Sequence, residues 1–247
     1  MKKRLKGLYL IVSSIVICLI NLPLAIAKTA GGHKLLSSNS GRKVTPINRG
    51  SVSASRSVYD SLSLNLKGMS KEAFEFAKRG FNKLVEEGKL VNDSIISIID
   101  FSQPSSKKRL YILDLKNYKV LFNTLVAHGR NSGREFASSF SNQNSSFMSS
   151  PGFYITQSTY EGHNGYSLKL EGVERGINDN ALERGIVVHG APYVSQEIVN
   201  MQGFSGRSQG CPAVPVQYAK PIINTIKDGT CMFIYHPSYV DRSVVLN

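Results

Sequence analysis

The sequence predicts a mostly β fold, a β-rich mixed sheet with a few helices. Short β-rich segments recur along the chain, whereas helical periodicity is confined to two stretches. Turn residues such as Gln103-Pro104-Ser105 separate the β segments. Of the 247 residues, 41% are hydrophobic, which is enough for one domain with a substantial core. This composition excludes a wholly disordered chain, and three cysteines are too few for a disulfide-rich miniprotein.

Residues 1–27 have the pattern of a secretory signal peptide. Four basic residues among the first six precede an apolar run from Leu8 to Ile20, and Ala25-Ile26-Ala27 resembles a cleavage site. The apolar run is short for a spanning helix, so we expect cleavage after Ala27, with an uncleaved anchor as the alternative. Cys18 would leave with the signal. The sequence therefore predicts an extracytoplasmic protein of the periplasm or cell envelope, with no stable membrane span after cleavage.

Positive charge is concentrated ahead of the predicted domain. The net charge is +13, and cleavage would remove four of the 30 basic residues and none of the 17 acidic ones, which leaves +9. Six of the remaining cations precede Asp60, the first acidic residue, in a segment rich in Ser, Gly and Asn. We predict a disordered basic linker over residues 28–60, which either attracts anionic envelope polymers or only spaces the domain. An exported protein is not expected to bind nucleic acid.

The folded domain is predicted to span residues 61–247 and to begin with a helix. Ser70 can cap this helix, and Gly88 can end it. Its buried face would consist of Phe74, Ala77, Phe81, Leu84 and Val85. A second helix is predicted to begin near Lys220, with Pro221 in its first turn, and to end at Gly229. Its buried face would consist of Ile222, Ile223 and Ile226.

The remaining apolar segments predict strands. They are residues 95–99, 110–115, 120–127, 153–156, 166–170, 185–188 and 231–235. The strand 185–188 is short and continuously apolar, so we expect it to be buried and to carry His189-Gly190 at its end.

A thiol and an imidazole are placed where they could act together. Seventeen residues after His189-Gly190 comes Ser208-Gln209-Gly210-Cys211. A thiol attacks as thiolate, and a free pKa of about 8.5 leaves little thiolate at neutral pH, so an adjacent base is needed. Imidazole can accept the proton and return it to a leaving amine. Gly210 would let the backbone turn tightly, so that neighbouring N–H groups point at a developing oxyanion.

This arrangement, His-Gly followed by Ser-x-Gly-Cys, resembles the active-site motif of the murein L,D-transpeptidase catalytic-domain family. The resemblance extends in order over residues 70–236. The further motifs are Asp100-Phe101-Ser102, Arg109-Leu110-Tyr111 through Leu115, Ala127-His128-Gly129, Phe140-Ser141-Asn142 and Asn178-Asp179-Asn180-Ala181. The resemblance implies a mostly β catalytic domain and a cysteine-dependent enzyme that acts on peptidoglycan stem peptides, without a cofactor or metal.

The resemblance also implies a role for each motif residue. Cys211 would be the nucleophile and His189 the general base, with the imidazole oriented by the Gly190 carbonyl. Gly210 and Cys211 would supply N–H groups to the oxyanion, and Ser208 would brace the loop. The chain would then form cross-links through a thioester on Cys211.

The chain departs from the commoner family pattern at two places. Gln209 stands where many members have His, and Pro212-Ala213 stands where many have an Ile-Arg pair. The cation that would grip a substrate carboxylate after the cysteine is therefore missing. Candidates to replace it are Arg184, Arg207 and Lys220.

Five residues are candidates to line the substrate cleft. They are His128, His163, Tyr193, Arg207 and Gln209. The loop around His128 could equally be a plain turn, as could the segment Tyr160–Tyr166 around His163. Asn178-Asp179-Asn180 predicts an Asx-rich turn. A metal site of His189, Cys211 and either His128 or His163 is not expected, because no close ligand pair supports it.

Two other functions remain open from the sequence. An L,D-carboxypeptidase would use the same Cys211 and His189 but trim tetrapeptide stems with water instead of an acceptor amine. A non-catalytic wall-binding protein would instead join Cys211 and Cys231 in a disulfide, which an oxidising compartment permits.

Overall fold

A computed structural model of the protein describes residues 57–247. The predicted signal peptide and most of the predicted linker lie outside the described residues. Helix α1 spans Val58–Ser61 and is anchored by Tyr59, which is buried and whose hydroxyl donates to the Met69 carbonyl at 2.6 Å. The last residues of the predicted linker therefore belong to the folded part of the chain.

Eight strands form one mixed sheet, so the predicted fold class is confirmed. The strands are β1 (Ile95–Asp100), β2 (Leu110–Asp114), β3 (Lys119–Thr124), β4 (Gly152–Gly162), β5 (Gly165–Gly172), β6 (Val187–Gly190), β7 (Ala213–Val214) and β8 (Cys231–Tyr235). Their order is β3-β2-β1-β8-β4-β5-β6-β7. Strand β1 pairs in parallel with β8, and β6 with β7, while all other neighbours are antiparallel.

A hydrophobic cluster covers each face of the sheet. Along β8, alternate side chains enter different clusters, as the two-residue period of a strand requires. Cys231, Phe233 and Tyr235 pack on the same side as helix α2 (Lys71–Glu86), and Met232 and Ile234 pack on the side of helix α4 (Val216–Ile226). The two helices therefore close the core from opposite sides.

Helix α2 begins where the sequence predicts, and it buries the predicted face. Ser70 is its N-cap, and its side-chain oxygen accepts a hydrogen bond from the Ala73 N–H at 2.9 Å. Phe74, Phe81 and Leu84 are buried. The helix ends at Glu86, just before Gly88, whose φ of +65° takes the chain out of the helical conformation.

Helix α4 corrects the prediction for the second helix. It begins at Val216 and ends at Ile226, so Pro221 lies in its interior and not in its first turn. A proline there removes one hydrogen bond of the helix, but Pro221 is on the exposed face. Burial of Ile222, Ile223 and Ile226 stabilises the helix from the opposite face, as predicted. Burial of this apolar face thus outweighs the cost of a proline in the interior of the helix.

Two short elements near the thiol have no counterpart among the predicted ones. They are helix α3 (Gln196–Gln202) and strand β7. Strand β3 is shorter than predicted and ends at Thr124, after which the chain leaves β2. The Ala127 N–H donates instead to the Ala213 carbonyl of β7 at 2.8 Å. The polar loop that follows Ala127 is thereby drawn toward the segment that contains Cys211.

Packing of α2 on the sheet makes a specific prediction for Gly80. A Cβ atom at this position would lie 2.0 Å from Cζ of Phe153. Gly→Ala inside a helix ordinarily adds about 1 kcal/mol of stability, but here overpacking should remove about 1–3 kcal/mol. Gly80→Ala should therefore unfold at lower urea concentration than the unsubstituted protein. Asn82→Ala, on the exposed face of the same helix, is the control and should be neutral or slightly stabilising; a stabilised Gly80→Ala variant would contradict the packing.

Candidate active site

Parallel pairing of β6 with β7 brings the predicted base and nucleophile to one edge of the sheet. His189 is paired with Ala213 in the register, and Cys211 lies two residues before Ala213. His189 and Cys211 both line a cleft with a volume of about 510 Å³. The two reactive groups predicted from the sequence therefore share one cavity.

The loop before Cys211 is held in a tight conformation. The Ser208 hydroxyl accepts from the Gly210 N–H at 3.0 Å and donates to the Cys211 carbonyl at 2.6 Å. Gly210 has φ of +124°, and a Cβ atom there would lie 2.8 Å from the Met148 carbonyl oxygen. Only glycine can satisfy both conditions without strain.

These contacts change the expectation for the oxyanion. The Gly210 N–H is already bonded to Ser208, so it does not point freely into the cleft as predicted. The Cys211 N–H has no acceptor outside its own residue within residues 57–247. Of the two predicted donors, Cys211 is the one available.

The His189 imidazole is buried and fixed in orientation. Its Nδ1–H donates to the Gly190 carbonyl at 3.0 Å, which leaves Nε2 as the nitrogen that can accept a proton. Burial lowers the pKa of His189 below its ordinary value, and the bond to Gly190 partly offsets this effect. At neutral pH the imidazole is therefore uncharged and able to act as a base.

Gly190 has a packing requirement as well. A Cβ atom there would lie 2.9 Å from Cβ of Ala219 and 3.3 Å from Cα of Val216. Glycine at this position thus lets the first turns of α4 lie directly against β6.

The Cys211 thiol is half-buried, and opposing effects act on its ionisation. Burial raises the pKa of Cys211, while the Val187 N–H and the Arg184 guanidinium lower it. The thiol donates to the Gly185 carbonyl, with an S···O distance of 3.7 Å. The resting group is therefore a protonated thiol, with a backbone donor and a cation in place to stabilise the thiolate.

Four hydrogen bonds hold Arg184 beside the loop that contains Cys211. Its Nη1 donates to the Ser141 carbonyl and the Ser150 hydroxyl, and its Nη2 donates to the Met148 carbonyl and the Ser146 hydroxyl. The same Nη2 lies 3.4 Å from the position that a Cβ on Gly210 would occupy. Arg184 thus joins the 141–150 segment to the back of the cysteine loop.

The cleft contains four of the five predicted lining residues. They are His163, Tyr193, Arg207 and Gln209. Burial raises the pKa of Tyr193 to about 12, so its hydroxyl stays protonated. Of the three candidate cations, Arg184 and Arg207 line the cleft, whereas Lys220 lies on the exposed face of α4 and does not.

Five further residues line the cleft that the sequence does not predict as lining residues. They are Arg130, Ser145, Phe147, Asn164 and Gly185. The guanidinium of Arg130 lies 4.0 Å from the centre of the Phe147 ring. The only signal for Arg130 was its place in the polar loop after Ala127, and Phe147 carried no local signal.

His128 does not reach the cleft, contrary to the prediction. It is fully buried, its Nδ1 accepts from Arg109 Nη2 at 2.7 Å, and its Nε2–H donates to the Gly133 carbonyl at 3.2 Å. Burial, assisted by the Arg109 charge, lowers the pKa of His128 to about 4. His128 is therefore a neutral structural residue that holds the loop from which Arg130 projects.

Arg109 is the buried partner of His128. Its side chain donates to the Val126 and Gln103 carbonyls, and its guanidinium lies 4.7 Å from the centre of the Phe101 ring. Burial lowers the pKa of Arg109 to about 9, so it remains charged at neutral pH.

Asn178 is more than part of a turn. It is fully buried, and its Nδ2 donates to the Pro151 and Phe153 carbonyls, while its Oδ1 accepts from the Glu174 N–H. The Asx-rich segment thus fastens the end of β5 to the start of β4.

The disulfide considered as an alternative is not formed. Both cysteines of the described part are free thiols. Cys231 packs on the α2 side of the sheet, whereas Cys211 packs against the cluster on the α4 side, so the sheet separates them.

Within residues 57–247, no group of three or more His, Cys, Asp or Glu side chains is placed to hold a metal ion. Nor is any helix of that part long and apolar enough to cross a bilayer.

The chain belongs to the L,D-transpeptidase catalytic domain family, whose family model matches residues 65–235. The matched range contains the cleft, His189 and the Ser208–Cys211 loop. The family predicted from the sequence motifs is therefore confirmed. None of the curated proteins compared with the chain is similar enough to count as a match.

Several solved structures are similar to parts of the chain. L,D-transpeptidase 1 of Mycobacterium tuberculosis is 12% identical, over 58% of this chain and 62% of its own, with a TM-score of 0.34. An L,D-transpeptidase of Mycobacterium smegmatis is 12% identical over 58% and 59%, with a TM-score of 0.37. The helical cell shape determining protein Pgp2 of Campylobacter jejuni is 13% identical over 64% and 56%, with a TM-score of 0.41. The aligned part spans about three fifths of each of these chains.

The charge of Arg184 should be measurable in the reactivity of Cys211. Removing the cation in Arg184→Gln should raise the thiol pKa and slow alkylation by iodoacetamide at pH 7 about tenfold, the equivalent of one pKa unit. Arg184→Lys keeps a charge and should recover part of the rate. Cys231 is fully buried and should not react. The pH dependence of the rate is the measurement, and an unshifted midpoint in Arg184→Gln would refute this role.

The burial of neutral His128 should make the protein sensitive to acid. Because its folded pKa is about 4, the unfolded chain binds a proton below pH 6.5 that the folded chain does not. The effect of His128 on the free energy of unfolding should therefore be absent above about pH 6.5. As the pH drops to about 4, this effect should lower the free energy of unfolding by about 3 kcal/mol. His128→Gln keeps an acceptor for Arg109 but cannot titrate, so its urea unfolding should depend less on pH. Equal pH dependence of the two proteins would show that His128 does not contribute.

Proposed function

We propose that this protein is an exported L,D-transpeptidase that cross-links peptidoglycan stem peptides through a thioester on Cys211. The observation that carries the proposal is the shared cleft of a half-buried thiol and a neutral, oriented imidazole. Membership of the L,D-transpeptidase catalytic domain family supports the reaction class. The donor and the acceptor would both be stem peptides, and no cofactor is needed for acyl transfer between them.

The first half of the reaction forms the acyl-enzyme. His189 Nε2 takes the proton from Cys211 Sγ, and the thiolate attacks the carbonyl carbon of the third stem residue. The charge that develops on the carbonyl oxygen is met by the Cys211 N–H. The bond to the terminal D-Ala then breaks, and His189 returns its proton to the departing amine. A thioester remains on Cys211.

The second half transfers the acyl group. The side-chain amine of a second stem attacks the thioester carbonyl, His189 accepts the amine proton, and the Cys211 thiolate departs and is reprotonated. The product is a cross-linked dimer. Water in place of the amine would yield a trimmed tripeptide, which is the carboxypeptidase outcome, so the two activities differ only in the acceptor.

Export and wall attachment complete the proposal. Residues 1–27 have the features of a signal peptide, and the basic segment before Asp60 is suited to anionic envelope polymers. An enzyme of the periplasm or cell envelope would thereby reach its substrate. Long-range attraction of this kind should weaken with salt.

A direct test is intact-mass analysis of the mature protein mixed with a disaccharide-tetrapeptide. We expect a transient adduct with release of D-Ala, followed by cross-linked dimers. Cys211→Ala should form no adduct and give no turnover, yet unfold at nearly the same urea concentration, because its thiol is only half-buried. Cys231→Ala is the matched control and should keep the adduct.

Three results would change the proposal. Turnover by Cys211→Ala would eliminate the thioester mechanism. Accumulation of tripeptides without dimers would assign the carboxypeptidase outcome instead. If the unsubstituted protein gives neither adduct nor products, the stem peptide is not its substrate.

A further inference from the structure

Two arginines on separate loops are held side by side at the cleft. The loops are joined where Gly129 and Ser208 form a parallel β-bridge. The Arg130 N–H donates to the Ser208 carbonyl at 2.8 Å, and the Ser208 N–H donates to the His128 carbonyl at 2.9 Å. Arg207 immediately precedes this bridge, so its side chain and that of Arg130 come from adjacent backbone segments.

Side-chain contacts fix both guanidinium groups further. Arg207 Nη1 donates to the Arg130 and Gly133 carbonyls, each at 3.2 Å. Arg130 lies over the Phe147 ring. Both residues line the cavity that contains Cys211. Two positive charges thus face the same cavity as Cys211.

Within the described residues, no acidic side chain forms an ion pair with Arg130 or Arg207. The cleft lining contains no Asp or Glu among the described residues. The ion pairs found within residues 57–247 are Lys89–Glu87 and Lys227–Asp228, both elsewhere. Cations that line one cleft without an acidic residue create a positive potential there, which favours a bound anion.

We propose that Arg130 and Arg207 form a carboxylate-binding subsite that holds a free carboxylate of the donor stem peptide beside Cys211. This inference rests on the proposed function. The planar guanidinium matches a carboxylate with two parallel hydrogen bonds, and Arg207 keeps Nη2 and Nε for this purpose because its protein contacts use Nη1. Arg184 is less suited, since four protein acceptors already occupy its Nη1 and Nη2.

The subsite would act as a substitute for the missing cation after the cysteine. Pro212-Ala213 follows Cys211, so the chain provides no charge there. Arg207, just before Ser208 in the cysteine loop, and Arg130, in the loop bridged to it, would supply this charge. They would orient the peptide so that its scissile carbonyl faces the thiol, and would thereby select stems with a free carboxylate.

The test is equilibrium binding of a tetrapeptide stem to the mature Cys211→Ala protein, which cannot turn it over. Three peptides separate the sources of the carboxylate: the free acid, a peptide amidated only at the terminal D-Ala, and a peptide amidated only at its internal carboxylates. Arg207→Gln or Arg130→Gln should weaken binding of the free acid about tenfold. One of the two amidated peptides lacks the carboxylate that the subsite recognises. The substitutions should not change the affinity for that peptide.

Arg134→Gln is the matched control. Arg134 is also exposed, and its guanidinium lies 4.8 Å from the centre of the Phe204 ring, but it does not line the cleft. This variant should bind all three peptides as the parent does. If Arg130→Gln and Arg207→Gln weaken all three peptides equally, or none of them, the subsite is refuted.

A second probe separates the subsite from the proposed function. Acetate is titrated into the unsubstituted protein while the backbone amide NMR signals of Arg130 and Arg207 are followed. Saturable shifts that disappear in Arg207→Gln support a carboxylate site even if the tetrapeptide is not a substrate. Shifts that do not saturate, or that persist in Arg207→Gln, overturn the site while leaving the thioester reaction to its own test.

Discussion

The parallel pairing of β6 with β7 is the constraint on which the candidate site depends. Parallel neighbours cannot be joined by a tight turn, so the chain between Gly190 and Ala213 must leave the sheet and return. That connection contains α3 and the loop that ends at Cys211. The return brings the thiol to the edge where the preceding strand has already placed His189. A two-residue strand thus determines whether the proposed base and nucleophile, separated by more than twenty residues, can share one cleft.

Hydrogen bonds hold the loops that line the cleft in place. The Ser208 hydroxyl spans the cysteine loop, the Ser149 hydroxyl donates to the Gly210 carbonyl, and Arg184 fastens the neighbouring segment. Under the loop that carries Arg130, the buried side chains of Arg109 and His128 form a hydrogen bond with each other. Hydrogen bonds of this kind are directional, so they hold groups at defined angles. Such rigidity is what an active site needs, because geometry prepared in advance does not have to be acquired during the reaction.

The electrostatics of the cleft follow from the same arrangement. Burial keeps His189 neutral and Cys211 protonated at rest, which are the starting states for proton transfer from thiol to imidazole. The guanidinium of Arg184 then favours the thiolate once it forms, because it lowers the pKa of Cys211. The absence of acidic residues from the described lining leaves this field uncompensated. This field suits the thiolate of the proposed reaction and the proposed carboxylate subsite.

Patterns within the sequence determined the fold class, seven of the eight strands, helix α2, and the pairing of Cys211 with His189 as candidates. Each of these depends on residues near in sequence, such as the apolar period of α2, or on a motif whose chemistry is evident from residue type. Only the tertiary structure decided that His128 is buried while His163 lines the cleft, that α4 continues through Pro221, and that Arg130 stands beside Arg207. These outcomes depend on which distant segments share hydrogen bonds and burial, and no local pattern encodes that.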